Sequence, residues 1–397
     1  MSTAQATIAD WRSYPTSTLP VGLALTPASV EVTWADGRIS PFHHLWLRDN
    51  CPCQTCVYPV TREQMFEVAD APNDLCLRDA RLGDGGALHL DWSDGHASVF
   101  HPGWLRAHAY DPQSRDERAR QQPQPKLWRS EMNAQLACFD YSDVMTNDNC
   151  LADWLRALRD SGLTQIRNAP TALGSLDGLA RRVAFIRESS FGVMFEVKSK
   201  ADADSNAYTA FNLPLHTDLP TRELQPGVQF LYCLRNDATG GDSRFVDGFA
   251  VAEELRRLAP DSFELLTRTG VEFRNKSARN DYRCKAPIIA LNDDGSYREI
   301  RIANFLRGPF DVDPAVMPQL YEAYRLFIRL TREPHLQLIR RLEAGQAWVF
   351  DNRRVLHARD AFDPATGERH FQGCYLDRDE LLSRLFVLER QAVEAAV

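Results

Sequence analysis

Leu213-Pro214-Leu215-His216-Thr217-Asp218-Leu219-Pro220 is the stretch from which the rest of the chain is read. Residues two apart on an extended strand point to the same side, with Cα atoms roughly 7 Å apart, so His216 and Asp218 can reach one metal ion. A third ligand has to come from elsewhere. The apolar, strand-like run Trp348-Val349-Phe350-Asp351-Asn352-Arg353-Arg354-Val355-Leu356-His357 supplies a late histidine. Two histidines and one carboxylate on one side of an ion form the facial triad of non-haem iron(II) sites, which leaves three positions open for a bidentate co-substrate and dioxygen.

Beyond His357 lies the turn-rich Asp363-Pro364-Ala365-Thr366-Gly367, then Arg369-His370-Phe371-Gln372-Gly373-Cys374-Tyr375. This reads as two antiparallel strands joined by a loop, with the Arg369 guanidinium on the strand neighbouring His357. A planar fork of donors there suits the far carboxylate of a dicarboxylate whose other end chelates the metal, and 2-oxoglutarate fits. Taken singly, each signal has a plainer reading. An isolated His-x-Asp pair occurs by chance, His357 alone reads as a structural histidine, and Arg369 as a surface ion-pair partner. The ordered quartet is far more specific than its parts.

Length and charge bound the possibilities. A chain of 397 residues with 44% hydrophobic residues suggests two domains with ample core material. A net charge of −8 and the lack of a basic stripe argue against nucleic acid or an anionic membrane as partner. Residues 1–29 lack the pattern of a secretory signal and no apolar run spans a bilayer, so a soluble cytoplasmic protein is expected. Nine cysteines, an odd number, then favour reduced thiols or metal ligation over a disulfide framework.

Three of these cysteines cluster in Cys51-Pro52-Cys53-Gln54-Thr55-Cys56, close enough to wrap one zinc ion, and His96 in the turn Trp92-Ser93-Asp94-Gly95-His96 is the best fourth ligand. The plainer reading is three unligated thiols on a loop. With four protein ligands the site would be closed and the zinc structural. The same region holds an internal near-repeat. Residues 34–48 (WADGRISPFHHLWLR) are echoed by residues 92–106 (WSDGHASVFHPGWLR), with tryptophan, Asp-Gly, serine, phenylalanine, histidine and Trp-Leu-Arg in register. Asp-Gly between strand-like flanks is a hairpin signal, so two related hairpins are expected, carrying His96 on one copy and Arg38 at the equivalent position of the other.

The polar stretch after Tyr110 reads as a partly helical linker. The expected division is therefore a small β-rich zinc-binding domain at 1–110, a linker at 111–127, and a mixed α+β domain with a β core at 128–397. Helical periodicity appears at Leu151, Trp154, Leu155 and Leu158, and again between Asp379 and Ala396, where an amphipathic helix is expected to pack on the core or on a second subunit.

The strings LWLRDNCPCQTC, SNAYTAFNLPLHTDLP, ATGGDSRFVDGF, VFDNRRVLHARD and RHFQGCYLDRDEL make the chain, from about residue 28 to 390, resemble the γ-butyrobetaine dioxygenase (hydroxylase) branch of Fe(II)/2-oxoglutarate oxygenases, most closely its bacterial members. The resemblance implies a double-stranded β-helix (jelly-roll) catalytic domain, a small zinc-bearing N-terminal domain and a homodimer. It places iron on His216, Asp218 and His357, the 2-oxoglutarate carboxylate on Arg369, and zinc on Cys51, Cys53, Cys56 and His96. The implied reaction is hydroxylation of γ-butyrobetaine at C3 to L-carnitine, with succinate and carbon dioxide released and ascorbate as reductant. A trimethylammonium substrate calls for an aromatic cage, since a methylated nitrogen donates no hydrogen bonds. Phe191, Phe195, Tyr208 and Tyr375 match the cage positions, although Phe191 and Phe195 fall where animal relatives carry tyrosine and tryptophan and read equally well as core packing. Asn206 and Asn304 are the matching candidates for the substrate carboxylate. Asp218 argues for hydroxylation, because related halogenases leave that ligand position without a carboxylate. Two other readings stay open: an oxygenase of trimethyllysine or another small betaine or carboxylate, and a non-catalytic zinc-stabilised binding protein, which would leave an intact quartet idle.

Overall fold

The computed structural model describes residues 14–198 and 210–395. Two compact units divide after Pro123.

In the first unit the sequence repeat is a structural repeat, larger than the two hairpins expected. Each copy is a three-stranded antiparallel sheet followed by a short helix: Pro20–Leu25, Ser29–Trp34, Ile39–His43 and helix His44–Asp49 in one, Leu77–Leu82, Leu88–Trp92, Ala97–Phe100 and helix Pro102–His108 in the other. The Asp-Gly turns need positive φ, and Gly37 and Gly95 take φ of 82° and 81°. Trp34 donates its indole N–H to Ser40 at 3.0 Å, and Trp92 to Ser98 at 2.9 Å, so each buried ring finds its partner inside its own copy. The arginines of the Trp-Leu-Arg strings cross over. Arg106 reaches Asp36 at 2.6 Å and Arg48 reaches Asp94 at 3.1 Å, each closing the turn of the other copy. Val30, Val32, Trp34 and Phe42 share one core with Leu88, Leu90, Trp92 and Phe100. The stretch read as linker contains helix Pro112–Gln121, started by the Asp111 carboxylate accepting from the Ser114 N–H. Its Glu117 pairs with Arg38 at 2.8 Å.

The second unit is built on two sheets. One has six strands in the order Cys138–Asp140, Leu163–Arg167, Ala347–Asp351, Val228–Asn236, Arg369–Leu376 and Phe195–Val197; the other has four, in the order Leu213–His216, Val355–Arg359, Ser243–Asp247 and Gln337–Arg340. Trp348 and Phe350 of the first meet Phe245, Leu338 and Val355 of the second, with the Phe245 and Trp348 rings 5.0 Å apart. Alternate residues face the other way. Val228, Phe230 and Tyr232 pack outward on Trp154, Leu155, Leu179 and Leu385 of the helices that cover the six-stranded sheet. One of these, Asp148–Ser161, buries Leu151, Trp154, Leu155 and Leu158 at helical spacing, is capped by the Asn147 side chain and stops at Gly162 with φ of 74°. Another, Arg378–Ala395, packs Leu381, Leu385 and Leu388 on the core of its own chain. Helices Gly248–Leu258, Pro260–Arg268 and Met317–Thr331 cover the four-stranded sheet through Val246 and Leu356. Among the described residues no helix is long and apolar enough to cross a membrane, and none of the nine cysteines is in a disulfide.

One expectation is overturned. The strands bearing His357 and Arg369 are not a hairpin. Both edges of Val355–Arg359 are already taken by Leu213–His216 and Ser243–Asp247, so residues 360–368 carry the chain into the other sheet, where Arg369–Leu376 pairs with Val228–Asn236.

Candidate active site

Strand pairing alone brings the two histidines together: His216 lies directly opposite His357, with ring centroids 4.2 Å apart. Asp218 follows as the chain leaves the strand. Its neighbour Leu219 takes φ of 51°, a conformation that costs a branched residue free energy and persists only when its surroundings hold it. The fully buried Asn352 provides that hold: its side-chain oxygen accepts the Asp218 N–H at 2.7 Å while its amide donates to the Asp218 and Pro226 carbonyls. Arg301 adds to it by donating to the carbonyls of Pro220 and Glu223.

His216, Asp218 and His357 present their ligand atoms within 4.8 Å of one another. Asp218 Oδ1 is 3.1 Å from His216 Nε2 and 3.7 Å from His357 Nε2, against roughly 3 Å for adjacent ligands with bonds of about 2.1 Å. His216 Nδ1 lies 2.9 Å from the Pro214 carbonyl, which only accepts, so Nδ1 carries a proton and Nε2 is the nitrogen turned toward Asp218. Burial pushes the His357 imidazole down to about 3, which keeps it neutral at physiological pH. Burial raises the Asp218 carboxyl, but the His216 hydrogen bond, the His357 and His216 rings and the Tyr375 hydroxyl outweigh it and hold the group well below the usual carboxylate range. Two imidazole nitrogens and one carboxylate oxygen at these separations suit a divalent ion.

The second oxygen of Asp218 points away from the histidines and accepts from Gln229 Nε2 at 2.8 Å and from the Tyr375 hydroxyl at 2.7 Å. Gln229 and Tyr375 are cross-strand partners on the six-stranded sheet. The Tyr375 ring lies 5.1 Å from that of Phe195, which lies 6.1 Å from that of Phe191. Phe195 faces Gly373 across the ladder, and a Cβ at 373 would collide with its ring. Phe305 stands edge-on to His216, with ring centroids 5.2 Å apart.

Arg369 is half-buried, stacked on the Phe371 ring at 3.9 Å, with its Nε lacking an acceptor among the described residues. Burial and the charge of Arg359 bring its guanidinium down to about 9. A cation so placed is stabilised by an arriving carboxylate. In the first unit, His96 Nε2 lies 3.2, 3.5 and 3.6 Å from the sulfurs of Cys51, Cys53 and Cys56. About 3.5 Å is the separation of sulfur and nitrogen around tetrahedral zinc. Burial pushes the Cys51 thiol up to about 12, so a thiolate there calls for a cation.

Residues 120–375 match the model of the taurine catabolism dioxygenase TauD, TfdA family, and residues 23–106 that of the γ-butyrobetaine hydroxylase-like N-terminal family. The γ-butyrobetaine dioxygenase of Pseudomonas sp. (strain AK-1) is 62% identical over 96% of this chain and 100% of its own length. The chain belongs to the γ-butyrobetaine dioxygenase branch of the TauD, TfdA family. The human γ-butyrobetaine dioxygenase is 32% identical over 92% of this chain and 95% of its own. A trimethyllysine dioxygenase of Meyerozyma guilliermondii is 29% identical over 93% and 96%.

Within this member of the γ-butyrobetaine dioxygenase branch the structure brings together His216, Asp218, His357, Tyr375, Phe195 and Phe191. Asn304, exposed at the start of the short 3-10 helix Asn304–Leu306, accepts from the Tyr324 hydroxyl at 3.1 Å. Tyr208 and Asn206 lie outside the described residues. Reading the sequence missed Gln229, Asn352 and Phe305. The signal for Gln229 was present: it is the one polar residue in the apolar run Val228 to Leu234. No local pattern in the sequence marks Asn352 or Phe305.

Proposed function

We propose that this chain hydroxylates γ-butyrobetaine at C3, converting it with 2-oxoglutarate and dioxygen to L-carnitine, succinate and carbon dioxide. The observation that carries the reading is 62% identity, across the whole of the Pseudomonas γ-butyrobetaine dioxygenase, in a chain whose three candidate iron ligands meet at one point. His216, Asp218 and His357 hold Fe(II), which when bound supplies the coupling of oxidative 2-oxoglutarate decarboxylation to removal of a hydrogen from the substrate. Arg369 binds the distal carboxylate of 2-oxoglutarate. The ring faces of Phe191, Phe195 and Tyr375, with Tyr208, receive the trimethylammonium group, and Asn206 and Asn304 the substrate carboxylate. The carbon presented for oxidation is set by the distance between these rings and the triad.

Zinc on Cys51, Cys53, Cys56 and His96 is structural, since four protein ligands leave no open position. The two facing sheets of the second unit support a double-stranded β-helix as the catalytic domain, with the first unit as the zinc-binding N-terminal domain. We further read the enzyme as a cytoplasmic homodimer that uses ascorbate as reductant. Anaerobic reconstitution with Fe(II), followed by NMR of 2-oxoglutarate and γ-butyrobetaine in air, tests the function. Succinate and L-carnitine in equal amounts are expected. Carnitine absent with γ-butyrobetaine but product formed from trimethyllysine would move the substrate assignment, and no succinate at full iron occupancy would remove the activity.

A further inference from the structure

The two oxygens of Asp218 have different surroundings. Oδ1 faces His216 and His357, while Oδ2 is held by two donors that sit opposite one another on adjacent strands, Gln229 at 2.8 Å and the Tyr375 hydroxyl at 2.7 Å. Neither donor is a surface accident. Gln229 is 1% and Tyr375 2% exposed, and Gln229 stands alone in polarity on an otherwise apolar strand segment. A carboxylate with one oxygen engaged by two donors presents only the other to a metal. Three positions therefore remain open on a two-histidine, one-carboxylate ion, whereas a two-oxygen grip would close one of them.

Tyr375 also reaches the other way. Its ring packs on Phe195, which the missing side chain of Gly373 allows to lie close, and Phe195 packs on Phe191. A phenol is rigid, so the ring and its hydroxyl move as one body. We propose that Gln229 and Tyr375 form a clamp that keeps Asp218 a one-oxygen ligand, and that Tyr375 ties this clamp to the aromatic group receiving the substrate cation. The second half rests on the proposed trimethylammonium substrate; the first half does not. Both are positioning residues, acting on the metal through Asp218.

Tyr375→Phe keeps the ring and removes the hydroxyl, and Gln229→Leu removes the amide. Metal binding is read without turnover, by titrating Mn(II) into metal-free protein and following free Mn(II) by electron paramagnetic resonance. Each variant should bind Mn(II) roughly 10-fold more weakly, as for lost outer-shell partners of metal ligands. The double variant should lose less than the product of the two, because both act on one oxygen. In turnover, Tyr375→Phe should keep its KM for γ-butyrobetaine within about threefold, while succinate exceeds hydroxylated product several-fold. Mn(II) affinity within twofold of wild type in Tyr375→Phe overturns the clamp, and a raised KM beside that unchanged affinity would make Tyr375 a cation-binding ring only. Gln229→Leu that fails to fold leaves the decision to the near-isosteric Tyr375→Phe. Wild-type protein that oxidises 2-oxoglutarate without touching γ-butyrobetaine, while Mn(II) binding still weakens in the variants, refutes the substrate assignment and upholds the clamp.

Discussion

Asn352 shows how much of the site depends on residues that touch no reactant. It is fully buried and bonds the Asp218 backbone on both its N–H and its carbonyl, beside Leu219 at φ of 51°. Asn352→Ala strands a buried N–H, which costs about 1–3 kcal/mol, and frees the loop that aims the carboxylate. Urea unfolding should report that loss, and Mn(II) binding should weaken at least about 10-fold; binding at wild-type strength would show that the loop holds itself. Arg369 is a different case, because its proposed role is to meet an anion. Arg369→Ala should raise the KM for 2-oxoglutarate about 30-fold or more, the equivalent of ~2 kcal/mol, with zinc content unchanged. An unchanged KM would place the anchor elsewhere, with the neighbouring Arg359 the first alternative.

At the scale of elements, the site depends on which strands are neighbours. Gln229, Phe195 and Tyr375 belong to three adjacent strands of one sheet, and Gly373 is the position that lets Phe195 lie flat against the ladder. Gly373→Ala should displace that ring, lowering stability by about 1–3 kcal/mol and raising the KM for γ-butyrobetaine while leaving that for 2-oxoglutarate in place. Equal shifts in both constants would point to a general distortion of the sheet. In the first unit the repeat lets one turn position serve two purposes, His96 aimed at three thiols in one copy and Arg38 paired with Glu117 of a helix in the other. Cys53→Ser should lower zinc content and the thermal midpoint more than it alters kcat; zinc content equal to wild type would take that cysteine out of the ligand set.

For the molecule as a whole, acid is the informative stress. Burial holds the imidazoles of His44, His357 and His370 below their usual value, His357 at about 3. As pH falls through about 6.5 the unfolded chain takes up protons on these groups that the folded, metal-free chain refuses, so stability declines with acidification. For His357 the loss is up to ~1.4 kcal/mol per pH unit between about 6.5 and 3. Asp218, held below the carboxylate range, adds a loss of the same sign at lower pH, as the unfolded carboxyl begins to protonate near 3.8. Urea midpoints of chelated protein should therefore be lower at pH 5.5 than at pH 7.5, and equal midpoints would show that these histidines accept protons in the fold.

Some of this was present in the chain before any folding. His216 and Asp218 two apart, the late His357, the Cys-x-Cys-x-x-Cys cluster and the doubled Trp-Asp-Gly pattern are local signals, because chemistry and backbone period both act over a few residues. The same is true of the helix that Asn147 caps and Gly162 ends. Tertiary structure alone decided what depends on pairing between distant segments: that the strand after residues 360–368 joins the opposite sheet, that His216 faces His357, and that Gln229 and Tyr375 close on one oxygen of Asp218. An isolated glutamine, asparagine or glycine carries no sign of its role until strand register chooses its neighbours, and register is set by burial of the whole apolar face rather than by any one residue.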